Sequence, residues 1–145
     1  MKKILIFFLA VASLAACQQR NSKTASEKEV IPGQDSSNYT SIQWIDSTFQ
    51  DLGTVKEGPE VEVTYKFRNV GDAPLIIGSV TASCGCTIPE TPKEPFAPGQ
   101  EGVIRAKFTT IGHLNLQQKT ITVRANTKGI QDHVLTFKIF VQPKS

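Results

Sequence analysis

The residues best equipped for chemistry in this 145-residue chain are its three cysteines, Cys17, Cys84 and Cys86. Two of them sit close together in Ala82-Ser83-Cys84-Gly85-Cys86-Thr87-Ile88-Pro89. In an exported protein such a pair is more often oxidised than free. An extended backbone would hold both thiols on one face but too far apart to bond, so a bridge needs a tight turn, which Gly85 permits. The resulting ring is expected to be strained, and strained disulfides are readily reduced. Three chemistries are open to the pair. It can be structural, a bridge or two partly buried thiols that pin the loop. It can exchange with other thiols as a redox pair. It can chelate a soft metal such as copper or zinc. A redox site wants a group that lowers a thiol pKa, and the nearest basic residue in sequence, Lys93, lies across the Pro-rich loop Pro89 to Pro98. A closed zinc site wants four ligands, and only His113 and His133 are on offer besides. The structural reading leads, and no metal or cofactor is expected.

The N-terminus decides the compartment. Met1-Lys2-Lys3 is a charged start, and Ile4 to Ala12 is apolar but too short to span a bilayer as a helix. Leu14-Ala15-Ala16-Cys17 then resembles a bacterial lipobox. That resemblance implies that residues 1–16 are a signal peptide and that Cys17 becomes the acylated (palmitate-bearing) first residue of the mature chain. Several acyl chains anchor a protein stably where one alone would be marginal. Gln18, not Asp, follows the cysteine, and the first acidic residue is Glu27. Both point to the outer membrane, with the protein facing the periplasm. Residues 17–40 are polar, mixed in charge and broken by Pro32-Gly33. They bury too little apolar surface to offset their ordering entropy and are expected to be a disordered, flexible linker.

Residues 41–145 are long enough for one domain. Of the chain's 16 basic and 13 acidic residues, Lys2 and Lys3 leave with the signal peptide, so the mature body is nearly neutral. Without a basic stripe, nucleic acid is excluded as a partner. Period-2 patterning recurs throughout: Val61, Val63, Tyr65 and Phe67; Ile104, Ala106 and Phe108; Ile121, Val123 and Ala125; Leu135, Phe137, Ile139 and Val141. Each run alternates with polar residues, as a strand with one dry face requires. Leu75-Ile76-Ile77 reads as apolar on both faces, and Ile42 to Phe49 as a mixed segment anchored by Trp44. Turn signals fall at Asn69 to Pro74, at Pro98-Gly99, which suits a type II turn, and at Asn126 to Gly129. The fold class is therefore all-β, an antiparallel β-sandwich of about seven strands.

The ordered motifs Phe49 to Val55, Phe67 to Ile77, Ser83-Cys84-Gly85-Cys86-Thr87, Pro98-Gly99 and Lys119 to Val123 are similar to the domain-of-unknown-function family 1573. The resemblance covers about Ser47 to Val141. It implies an immunoglobulin-like sandwich, akin to Hydin-type and major-sperm-protein-type modules, in a bacterial lipoprotein. Gly112-His113-Leu114-Asn115-Leu116 departs from the glycine-aromatic pattern expected before the next strand. The resemblance supplies no catalytic residues. No nucleophile elbow, phosphate loop or metalloprotease helix is present. Glu60 and Glu62 fall on a wet strand face, and Asn38-Tyr39-Thr40 is a sequon of the kind that arises by chance. The expected function is that of a membrane-anchored envelope lipoprotein, not an enzyme, whose module binds or supports an envelope protein. The alternative is a thiol-redox or copper-binding protein using Cys84 and Cys86.

Overall fold

The computed structural model describes residues 38–144. The signal peptide, Cys17 and nearly all of the linker lie outside these residues. Eight strands follow in order: β1 (Ile42–Trp44), β2 (Phe49–Lys56), β3 (Glu60–Asn69), β4 (Ile77–Ala82), β5 (Thr87–Glu90), β6 (Glu101–Thr109), β7 (Asn115–Ala125) and β8 (Asp132–Gln142). They form two four-stranded sheets, β1-β3-β6-β5 and β2-β8-β7-β4. The domain is an immunoglobulin-like sandwich.

The alternating runs fill the space between the sheets. Tyr65, Phe67, Ile104, Phe108, Ile121, Val123, Leu135, Phe137, Ile139 and Val141 are all fully buried, and their polar neighbours face out. Two expectations change. The segment from Ile42 to Phe49 is not one element. Backbone bonds from Ile45 and Asp46 to Lys66 O end β1, and Asp46 Oδ2 accepts from Lys66 N–H at 2.8 Å. The chain then crosses to the other sheet, where β2 runs parallel to β8. This sheet switch brings the strands to eight and adds one parallel pair, β2 with β8, to the otherwise antiparallel sandwich. Leu75-Ile76-Ile77 is also not apolar on both faces. Leu75 and Ile77 are buried, but Ile76 is 44% exposed. Leu75 exchanges both backbone bonds with Phe96, and β4 begins only at Ile77.

The Pro98-Gly99 turn has the expected form. Gly99 sits at φ 79°, and Gln100 N–H closes the turn on Ala97 O at 3.0 Å.

Among the described residues, Tyr65 Oη is the one buried side-chain polar atom without a hydrogen-bond partner. Burial pushes its pKa up to about 12. Tyr65→Phe is therefore expected to raise stability by about 1 kcal/mol, because an unpaired buried hydroxyl is costly. The phenol ionises in the unfolded chain near pH 10 but not in the folded one. Wild-type stability then falls between pH 10 and 12 through this group, and the phenylalanine variant lacks that part of the loss. Urea titrations at pH 7 and across the alkaline range check both.

Candidate functional site

The Cys84–Cys86 turn links the two sheets along one edge of the sandwich. Ala82, the last residue of β4, pairs with Ile121 of β7, and Thr87, the first residue of β5, pairs with Phe108 of β6. Between them Cys84 and Cys86 are disulfide-bonded, with Cα atoms 5.3 Å apart. The turn is held from both sides. Ser83 N–H donates to Thr120 O at 3.0 Å, and Thr120 N–H returns a bond to Ser83 Oγ at 3.2 Å. Thr87 N–H donates to Cys84 O at 3.3 Å, and Thr109 N–H to Cys86 O at 2.9 Å. Gly85 does not adopt the left-handed conformation, and a Cβ there would meet nothing within 4 Å. The turn needs no glycine freedom, contrary to the sequence expectation.

Both cysteines are half-buried, and Cys86 packs against the core. Cys84 Sγ lies 3.7 Å from the Thr87 hydroxyl. Sequence proximity had offered only Lys93 as a basic neighbour. Folding places Lys119 on β7, the strand beside the turn. Lys119 adjoins Thr120, the residue bonded to Ser83, and its ammonium sits 6.0 Å from the centre of the Phe108 ring. Strand parity could have revealed it, since Lys119 shares the inward face of Ile121 and Val123. The same ring meets His113 edge-on at 5.7 Å. His133 lies elsewhere, bonded to Thr127 and edge-on to Trp44. Among the described residues no group of three or more His, Cys, Asp and Glu side chains converges to hold a metal.

The rim beside the turn is built from two knitted loops. Thr110, fully buried, donates from Oγ1 to Pro59 O and accepts from Gly58 N–H, both at 2.9 Å. Gly112 N–H donates to Glu57 Oε1 at 2.8 Å. The loop that departs from the glycine-aromatic pattern closes with Gly112 and Asn115 both at positive φ, and the His113 ring takes an aromatic packing place on Phe108. Apolar side chains emerge here: Ile111 and Leu116 are 62% and 64% exposed, and Leu114 and Phe140 are partly so. Leu116 and Phe140 face each other across β7 and β8.

The chain enters at the opposite end. Thr40 bridges Thr127, and Asn126 Nδ2 donates to Asn38 O at 2.7 Å. A shallow open depression at this end is lined by Tyr39, Thr40, Gly71, Asp72 and Lys128. Nearby, the Thr127 hydroxyl donates to Ile130 O, so His133 Nε2 must donate to Thr127 Oγ1, at 2.8 Å. Burial lowers the His133 pKa, against a weaker upward pull from Asp132. The unfolded chain therefore takes up this proton first. Stability is full above about pH 6.5 and declines as pH falls below it. Thermal melts between pH 7.5 and 5.5 are expected to show this decline in the wild type and a smaller one in His133→Phe.

Residues 42–141 match the model of the family described as protein of unknown function (DUF1573). Residues 1–18 match the prokaryotic membrane lipoprotein lipid attachment site. A protein of unknown function from Porphyromonas gingivalis W83 superposes with TM-score 0.63 at 18% identity, over 72% of this chain and 48% of that one. The secreted serine protease VesC from Vibrio cholerae gives 0.53 at 13% identity, over 70% of this chain and 23% of that one. The PapD-like domain 7 of human CEP192 gives 0.49 at 10% identity, over 74% of this chain and 87% of that one. This chain thus spans about half the length of the first structure and about a quarter of the second, and at such identities the likeness is one of fold. No curated protein sequence matches significantly. The attachment site makes the protein a lipid-anchored component of a prokaryotic cell envelope. With its family match running from the first residue of β1 to the penultimate residue of β8, the chain belongs to the DUF1573 family.

Proposed function

We propose that the domain is a binding module, held to a membrane at one end and meeting a protein partner at the other. The observation that carries this reading is the separation of the two ends. The chain enters beside Thr40 and Asn126, where Val70, Ile76 and Ile130 are exposed, and four further apolar side chains, Ile111, Leu114, Leu116 and Phe140, are exposed at the far end, away from the anchor. Exposed apolar clusters on a soluble surface mark interaction sites. Ile111 and Leu114 sit on a loop tied by Thr110 and Glu57, and Leu116 and Phe140 on β7 and β8, so little ordering entropy is lost on binding.

The anchor is Cys17, freed by removal of residues 1–16. Residues 17–40 form the tether, whose last residue, Thr40, is already buried in the domain. The absence of Asp after Cys17 favours the outer membrane, and the lack of acidic residues before Glu27 favours a periplasmic orientation. Combining Ile111→Asp with Leu116→Asp tests the reading. Surface changes of this kind shift stability by about 0.5 kcal/mol each or less. The melting temperature should barely move, while the partner recovered after crosslinking in intact cells disappears. Undiminished recovery of the same partner would refute the assignment of the rim.

A further inference from the structure

We propose that Cys84–Cys86 is an exchange-active disulfide that oxidises a dithiol of an exported protein, with Cys84 Sγ as the sulfur attacked. This activity goes beyond the binding role and does not require it.

The first support is that the bridge is redundant as a staple. It closes a ring of three residues, and so short a loop constrains the unfolded chain least. Four backbone-donated hydrogen bonds, through Ser83, Thr120, Thr87 and Thr109, already hold the turn to β7, to β6 and to itself. Opening the S–S bond leaves all of them in place. The pair is free to change redox state without loss of the fold.

The second support is the asymmetry of the two sulfurs. Cys86 packs against the core, whereas Cys84 Sγ has the Thr87 hydroxyl at 3.7 Å. Thr87 is itself buried, so its hydroxyl is fixed in place. A hydroxyl donor favours a thiolate at Cys84. Among the described residues there is no third cysteine, so the exchanging thiols come from another molecule.

The electrons balance as follows. One thiolate of the partner dithiol attacks Cys84 Sγ. The Cys84–Cys86 bond breaks, and Cys86 leaves as a thiolate and takes up a proton. The second partner thiolate then attacks the partner sulfur in the mixed disulfide and expels Cys84 as a thiolate, which receives the Thr87 hydrogen bond before it is protonated. The partner loses two electrons and becomes a disulfide. Cys84 and Cys86 gain those electrons and end as thiols.

The test uses the mature lipoprotein in detergent, without denaturant, with glutathione and dithiothreitol as probes. Alkylation followed by mass measurement should show both cysteines opened by millimolar reduced glutathione, while the thermal melt of the reduced protein stays cooperative. In Cys86→Ser, Cys84 should form a one-to-one mixed disulfide with oxidised glutathione about tenfold faster than Cys86 does in Cys84→Ser, because access governs exchange. In the Cys86→Ser background, Thr87→Val should move the pH profile of Cys84 alkylation upward. A bridge that opens only after denaturation, or a fold that collapses on reduction, would overturn the proposal. Equal rates in the two serine variants would overturn the assignment of Cys84. Neither result bears on partner binding at Ile111 and Leu116, so the two readings fail separately.

Discussion

Asn69→Ala is expected to destabilise the domain by about 3–4 kcal/mol, a loss of about 15 °C or more in melting temperature for a body of this size. Asn69 ends β3 and is fully buried. Its side chain uses all of its main bonding capacity. Nδ2 donates to Ala73 O and to Phe96 O, each at 2.9 Å. Oδ1 accepts from Thr40 Oγ1 at 2.7 Å and from Gly71 N–H at 3.1 Å. Its backbone accepts from Gly99 N–H and donates to Gln100 O. One residue thus joins the chain entry, the β3–β4 loop, the bridge at Leu75 and Phe96, and the turn before β6. Truncation removes four hydrogen bonds and strands buried donors and acceptors, which costs more than the bonds are worth individually. Asn69→Asp should be at least as damaging, because it turns two donors into acceptors facing carbonyl oxygens. Thr40→Val, which loses one of the four bonds, should cost about 1 kcal/mol. Chemical denaturation of the three variants checks the ranking.

Gly102→Ala is expected to cost about 3 kcal/mol, at the upper end for overpacking by a single methyl group. Gly102 lies in β6 opposite Phe67 of β3. A Cβ there would stand 2.4 Å from Phe67 Cζ and 2.5 Å from Phe96 Cε1. Neither ring is free to yield. Phe67 and Phe96 pack edge-to-face with centroids 4.9 Å apart, and Trp44 closes on Phe67 from another side at 5.7 Å. The missing side chain is therefore the space that lets these rings meet. Phe96 is the more exposed of the two, so shortening it opens this space at the smaller cost in buried area. Combining Gly102→Ala with Phe96→Leu should recover part of the loss, giving a clear coupling energy in a double-mutant cycle. Additive losses would mean that the methyl group is accommodated elsewhere.

The four long strands were legible because each has one dry face. Val63, Tyr65 and Phe67, like Leu135, Phe137, Ile139 and Val141, can alternate only where the core is on one side. The elements that escaped are those whose pairing is set by other parts of the chain. Strand β5 is four residues long, contains Pro89 and sits on a sheet edge, so neither length nor composition announces it. The jump from β1 to β2 depends on Lys66 and Asp46 meeting across β3, a contact with no local signature. Asn69 reads as a turn residue because Asn, Gly, Asp and Pro cluster after it. Its burial is visible only once Phe96 and Thr40 have folded onto it. The position of the cysteine pair was readable, and so was the need for a turn. Its surroundings were not, because Thr120 and Thr109 reach it from distant strands.

The proposed binding role rests on the end of the sandwich opposite the chain entry at Thr40. A photo-crosslinking residue placed at Leu116 in intact cells tests it directly, with Lys107, exposed on the outer face of the other sheet, as the comparison position. A discrete protein adduct formed from position 116 and absent from position 107 is the expected result. Adducts from position 107 with none from 116 would contradict it.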